Sequence, residues 1–129
     1  MSELLAATPQ FTVPDLVRTV EYYRDVLGFR IAGYWDGEQL SDEPRDPVFA
    51  IVQRDRVRVF FNRGASSGTG RAEGAYDVYF NVSGVDELAS DFRARGAEIL
   101  DGPEDRVYGQ REVVIRDCNG IVLTFGESR

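Results

Sequence analysis

The order of apolar patterns along the 129 residues predicts an α+β fold made of two tandem βαβββ modules. Three observations carry this. A strand, a helix and three further strands can be read twice in the same order. The predicted helices each carry one apolar stripe, and the predicted strands alternate an apolar with a more polar face. The hydrophobic fraction of 43% is enough for a core, and the length suits one ordinary domain. Residues 1–129 are therefore expected to form a single domain, with module one at about 5–62, a linker at about 63–75 and module two at about 76–127.

In module one, Gln10-Phe11-Thr12-Val13 alternates as a half-buried strand does. Asp15 stands at an N-cap position, and Leu16, Val20, Tyr23 and Leu27 follow at helical spacing. Gly28 supplies the stop. Phe29 to Trp35 is the second strand. Phe49 to Gln53 and Arg56 to Phe61 form a hairpin around Arg54-Asp55. Asp36 to Pro47 reads as a polar loop whose acidic residues include Asp36, Glu38, Asp42, Glu43 and Asp46.

Module two repeats the order. Val78 to Val82 alternates. Ser83 is the expected N-cap, with Asp86 three residues on. Val85, Leu88, Ala89 and Phe92 make the helical stripe, and Gly96 ends it. Ala97 to Leu100 is a short strand. Glu112 to Arg116 and Ile121 to Phe125 form a hairpin around Asn119-Gly120, a type I′ turn signal. The halves superpose: Phe11-Thr12-Val13 on Phe80-Asn81-Val82, and Val57 to Phe61 on Ile121 to Phe125. Between them lies a stretch rich in Gly, Ser and Thr.

The composition removes several function classes. A net charge of −7, from 15 basic and 22 acidic residues, argues against nucleic-acid and anionic-membrane partners and favours a cationic ligand. There is no histidine, so Ser-His-Asp and Cys-His catalysis and every imidazole-dependent metal site are excluded. Cys118 is the lone cysteine, so no internal disulfide can form. Met1 to Leu5 lacks a positive flank and a long apolar stretch, which is not the pattern of a signal peptide, and a cytoplasmic protein is expected.

The strand phases place Phe11, Val13, Val59, Phe61, Phe80, Leu123 and Phe125 toward the helices. The opposite faces carry Thr8, Gln10, Thr12, Arg58, Phe60, Asp77, Tyr79 and Thr124, a polar and aromatic lining that suits a wet ligand groove.

Phe11-Thr12-Val13-Pro14-Asp15-Leu16 followed by Glu21 to Phe29, and Tyr108-Gly109-Gln110-Arg111-Glu112 followed by Arg116-Asp117-Cys118-Asn119-Gly120, together resemble the N- and C-terminal signatures of the vicinal oxygen chelate superfamily. That family includes glyoxalase I, extradiol dioxygenases and bleomycin resistance proteins. The resemblance implies a curved mixed sheet with the helices on its outer face. Family enzymes hold a divalent metal with four ligands, and those positions fall on Thr8, Phe60, Asp77 and Thr124. Only Asp77 is a good ligand type, so no metal and no cofactor are expected.

The chain is most similar in character to the bleomycin resistance branch. That branch implies a metal-independent homodimer that sequesters a cationic or aromatic small molecule, such as a cationic glycopeptide, in a groove. The expected ligand-binding residues are Tyr34, Trp35, Phe49, Arg58, Phe60, Asp77, Tyr79, Tyr108 and Arg111, and Pro9 marks an N-terminal arm exchanged between subunits. Arg111 and Glu112 are expected to pair with one another. The alternative is a glyoxalase-like lyase or isomerase acting on a small carbonyl or thiol adduct. Asp77 or Glu127 would then be the base, and Arg58 or Arg111 would stabilise an enolate.

Overall fold

A computed structural model describes residues 1–65 and 76–129. Most of the linker expected at about 63–75 lies outside the described residues. The chain divides into two compact units that follow the two repeats.

Module one contains β1 (Gln10–Val13), α1 (Leu16–Asp25), β2 (Arg30–Trp35), β3 (Leu40–Ser41), β4 (Phe49–Arg54) and β5 (Val57–Arg63). Its mixed sheet has the order β1-β5-β4-β2-β3, with β1 parallel to β5 and the other pairs antiparallel. Module two contains β6 (Val78–Asn81), α2 (Val85–Ala94), β7 (Glu98–Asp105), β8 (Gln110–Arg116) and β9 (Val122–Ser128). Its sheet has the order β6-β9-β8-β7, with β6 parallel to β9. This is the α+β, twice-repeated arrangement that the sequence predicts.

The repeat extends to single side chains. Phe11 is in register with Phe61, and Phe80 with Phe125. In each module the last strand's phenylalanine then meets a helix aromatic edge-on: Tyr23 and Phe61 have ring centroids 4.9 Å apart, and Phe92 and Phe125 5.1 Å. Edge-to-face contacts of this kind add to the area the rings remove from water. Val13, Val20, Val52, Val59, Val85, Ile115 and Leu123 complete the buried faces.

The helix ends divide between expected and unexpected devices. Asp15 caps α1 as predicted, its carboxylate accepting the Arg18 N–H at 3.0 Å. Gly96, at φ 89°, closes α2: the Ala97 N–H donates to the Phe92 carbonyl and the Gly96 N–H to that of Arg93. The Ser83 cap is corrected. Gly84 is the N-cap residue and has no side chain to offer. Glu127 of β9 reaches across instead and accepts the Gly84 and Val85 N–H groups at 2.8 and 3.2 Å. A carboxylate at a helix N-terminus serves the unpaired donors and the dipole together, whichever strand supplies it.

Three further expectations change. The Asn119-Gly120 turn is not type I′, because only Gly120 has positive φ and type I′ needs two such residues. The buried Asp117 carboxylate organises a longer loop by accepting the Asn119 and Ile121 N–H groups. The strand predicted to stop at Leu100 continues to Asp105, with register shifts that carry it past Gly102-Pro103. As an edge strand, β7 tolerates a residue that lacks an N–H. β3 was not expected; its two residues are too few to show a period. Gly33 leaves the room that the Leu40 side chain fills above β2.

The duplicated aromatic contacts generate a prediction. Phe61→Ala and Phe125→Ala should each destabilise the fold by about 3–5 kcal/mol in denaturant titrations, as for other buried phenylalanines.

Candidate functional site

In both modules the face turned away from the helix carries the polar and aromatic side chains. On module one, Trp35, Phe49 and Asn62 are in register across β2, β4 and β5, and Ile51, Phe60 and Gln10 form the next row. The Phe49 and Phe60 rings meet edge to face at 5.3 Å. Arg58, one row further, donates from Nε to the Gln53 side-chain oxygen at 3.1 Å. Trp35 is 37% exposed.

On module two the same face is built around a buried acid. Glu112 of β8 is 1% exposed. Its Oε2 accepts the Tyr79 hydroxyl at 2.8 Å, and its Oε1 accepts the Tyr108 hydroxyl at 2.6 Å and Arg106 Nε at 3.1 Å. A buried carboxylate needs such donors, because its charge is otherwise costly to desolvate. Arg106 is shared, for it also bonds Asp101 at 2.7 Å and Glu104 at 3.0 Å. Tyr79 reaches Glu112 by lying over Gly126 of β9. A Cβ at that position would collide with the tyrosine hydroxyl, so glycine is what lets Tyr79 lie there.

The cluster sets its own protonation. Burial alone would raise the Glu112 pKa, but the Tyr108, Tyr79 and Arg106 donors outweigh it and hold the acid below its ordinary value. The Tyr79 phenol is pushed up to about 12 by burial and by its bond to Glu112. The bond to Glu112 also raises Tyr108. At neutral pH the group is one carboxylate with two phenols that keep their protons.

Thr124 of β9 is in register with Tyr79 and fully buried, and its hydroxyl has no hydrogen-bond partner among the described residues. It occupies the fourth metal-ligand position implied by the resemblance. Asp77, at the third, spends its carboxylate on the Val122 N–H at 2.8 Å. Phe60 has no donor atom, and Thr8 lies in the exposed segment before β1. No group of three or more His, Cys, Asp and Glu among the described residues is placed to hold a metal ion. These residues do not fit the family's divalent metal.

The structure brings the predicted site residues together only in part. Trp35, Phe49, Arg58 and Phe60 share one face, and Tyr79 and Tyr108 share another. Tyr34 points the opposite way from Trp35 and is buried on the helix side; burial and the nearby Glu21 raise its pKa. Arg111 also faces the helix side, bonding Asp86 at 2.9 Å and Asp105 at 3.2 Å. The expected Arg111–Glu112 pair is therefore corrected: consecutive strand residues point to opposite faces. Pro9 places its carbonyl on the Phe60 N–H at 3.0 Å, which extends the β1–β5 ladder. The acidic loop spends charge locally, through Asp36 on the Glu38 and Gln39 N–H groups, Glu43 on Arg45 and Asp46 on Arg63. The sequence reading missed Glu112, Arg106 and Gly126 as parts of one site. The alternation of β8 held the signal for Glu112, because it puts that residue in phase with Gln110 rather than Arg111.

An absorbance titration checks the cluster. Tyr79 should ionise near pH 12, and Glu112→Gln should bring it back toward the ordinary 10.0. The shift favours the neutral phenol in the folded chain. Its contribution to stability is therefore complete below about pH 10 and lost as the pH rises toward 12.

Comparison with known proteins follows the same lines. The model of the Glyoxalase/Bleomycin resistance protein/Dioxygenase superfamily matches residues 6–125. No curated protein matches the sequence. Among solved structures, TioX from Micromonospora sp. ML1 superposes with a TM-score of 0.74 at 23% identity, over 95% of this chain and 97% of that one. The bleomycin-binding protein from bleomycin-producing Streptomyces verticillus, complexed with copper(II)-bleomycin, gives 0.72 at 22% identity over the whole of both chains. The fosfomycin resistance protein FosX from Listeria monocytogenes, complexed with Mn(II), gives 0.65 at 15% identity over 97% and 90%. At these identities the structural likeness shows the fold alone. With the family model spanning nearly its whole length, this chain belongs to the glyoxalase/bleomycin resistance protein/dioxygenase superfamily.

Proposed function

We propose that this chain is a metal-independent binding protein that sequesters a cationic or aromatic small molecule, in the manner of bleomycin resistance proteins. The observation that carries the reading is the state of Glu112. The buried acid of the polar face is saturated by two phenols and a guanidinium and held ionised, which suits a fixed recognition surface and not a proton-transfer group. The net charge of −7 and the exposed rings of Trp35, Tyr79 and Tyr108 support a cationic, partly planar ligand, for which a cationic glycopeptide is a candidate. In this reading the two modules act as one domain of a cytoplasmic homodimer, and the groove holds the ligand without changing it. No helix among the described residues is long and apolar enough to cross a membrane.

The lyase or isomerase alternative has less support. Asp77 and Glu127, its two candidate bases, both hold backbone N–H groups, and the Gly84 and Val85 N–H groups keep Glu127 below its ordinary pKa. Arg111 is committed to Asp86 and Asp105.

Calorimetry with bleomycin-type glycopeptides tests the proposal. Saturable heat is expected, with the recovered ligand unchanged by mass spectrometry and a sedimenting species of twice the chain mass. Absence of heat at high protein concentration, or a covalently altered ligand, would count against it.

A further inference from the structure

We infer that Tyr79 and Tyr108 form a subsite in module two for a ligand cation that carries N–H donors. This rests on the binding reading above and specifies what one part of the site selects.

A phenol has one proton and two lone pairs. Tyr79 donates to Glu112 at 2.8 Å, with the Gln110 side-chain oxygen as a second acceptor at 3.2 Å. Tyr108 donates to Glu112 at 2.6 Å. Gln110 uses its own amide N–H on Ser128. Both phenol protons therefore point inward, and what the oxygens can still offer a ligand is lone pairs. The two residues are 37% and 61% exposed. Such a pair accepts hydrogen bonds and donates none, so it selects ligand donors over ligand acceptors.

Charge selects in the same direction. Among the described residues Arg106 is the one cation bonded within the cluster, and it meets three carboxylates, those of Asp101, Glu104 and Glu112. The surplus is negative. A phenol that donates to a carboxylate gains electron density on its ring, which strengthens the attraction of the ring face for a cation. Beneath Tyr79 lies the buried Thr124 hydroxyl, which has no hydrogen-bond partner among the described residues. An anion of the same size would meet negative charge and no free phenol donor.

Gly126 is what permits the arrangement. A side chain there would displace the Tyr79 hydroxyl from Glu112, and the phenol proton would become available outward.

The test uses the full chain and three small probes of similar size: benzamidinium, phenyltrimethylammonium, which is cationic without N–H groups, and phenylacetate, an anion. Benzamidinium should bind saturably in calorimetry and shift the Tyr79 and Tyr108 ring signals in NMR spectra. Phenylacetate should do neither. Tyr79→Phe and Tyr108→Phe, which keep the rings and remove the acceptors, should each weaken benzamidinium by about fivefold or more and phenyltrimethylammonium by clearly less. Tyr22→Phe on α1 serves as the control. Each single variant leaves Glu112 two of its three donors; should one fail to fold, the wild-type ring shifts still decide the matter. Benzamidinium that fails to bind, shifts neither ring, or binds both variants as tightly as the wild type would overturn the inference. Saturable heat with the glycopeptide but none with benzamidinium removes the subsite and leaves the binding reading standing. The reverse result keeps the subsite and removes the glycopeptide.

Discussion

A carboxylate with 1% exposure on a sheet face has to be satisfied by the protein itself, and that requirement orders module two. Glu112 draws the Tyr79 side chain across Gly126 of β9, pulls Tyr108 in from the turn before β8 and anchors Arg106, which in turn ties down Asp101 and Glu104 of the edge strand. Gly126 is the steric condition for the first of these contacts. Residues from three strands and a turn thus become one polar surface. Loss of Glu112 would leave the Tyr108 phenol and the Arg106 Nε without their acceptor, and the Tyr79 phenol with the Gln110 oxygen.

The duplicated core supplies the rigid support. Phe61 and Phe125 occupy equivalent places beside Phe11 and Phe80, each under an aromatic side chain from its own helix. With the apolar residues of β5 and β9 committed to that side, the alternate residues, Arg58 and Phe60 in one module and Thr124 and Gly126 in the other, are presented opposite. Two of the four metal positions that the resemblance implies fall on this second set, and the chain fills them with the Phe60 ring and the Thr124 hydroxyl. Support for one face and presentation of the other come from the same period of two.

How much of this could be read from sequence follows from the range of each interaction. The fold was legible because period-two strands, helical stripes and the matched segments around Phe11 and Phe80 are local patterns. The Asp15 cap and the Gly96 stop were legible for the same reason. The α2 cap was not, since Glu127 comes from 42–43 residues away. Adjacency in sequence pairs Glu112 with Arg111, although neighbours on a strand face opposite ways; its partners lie 4, 6 and 33 residues away. Tyr34 looked like its neighbour Trp35 in composition and differs only in phase. The site fell short of the fold in legibility because it depends on which side chains converge, and spacing along the chain does not encode that directly.

In the proposed reading, this member of the superfamily recognises its ligand with a carboxylate already satisfied by phenols and a guanidinium, and not with a metal. Titration of the chelator-treated protein with Mn(II), Ni(II) and Zn(II), followed by calorimetry and by native mass spectrometry, addresses this most directly. No stoichiometric binding of any of the three is expected. A single tight site, weakened by Asp77→Asn or Glu112→Gln, would contradict it.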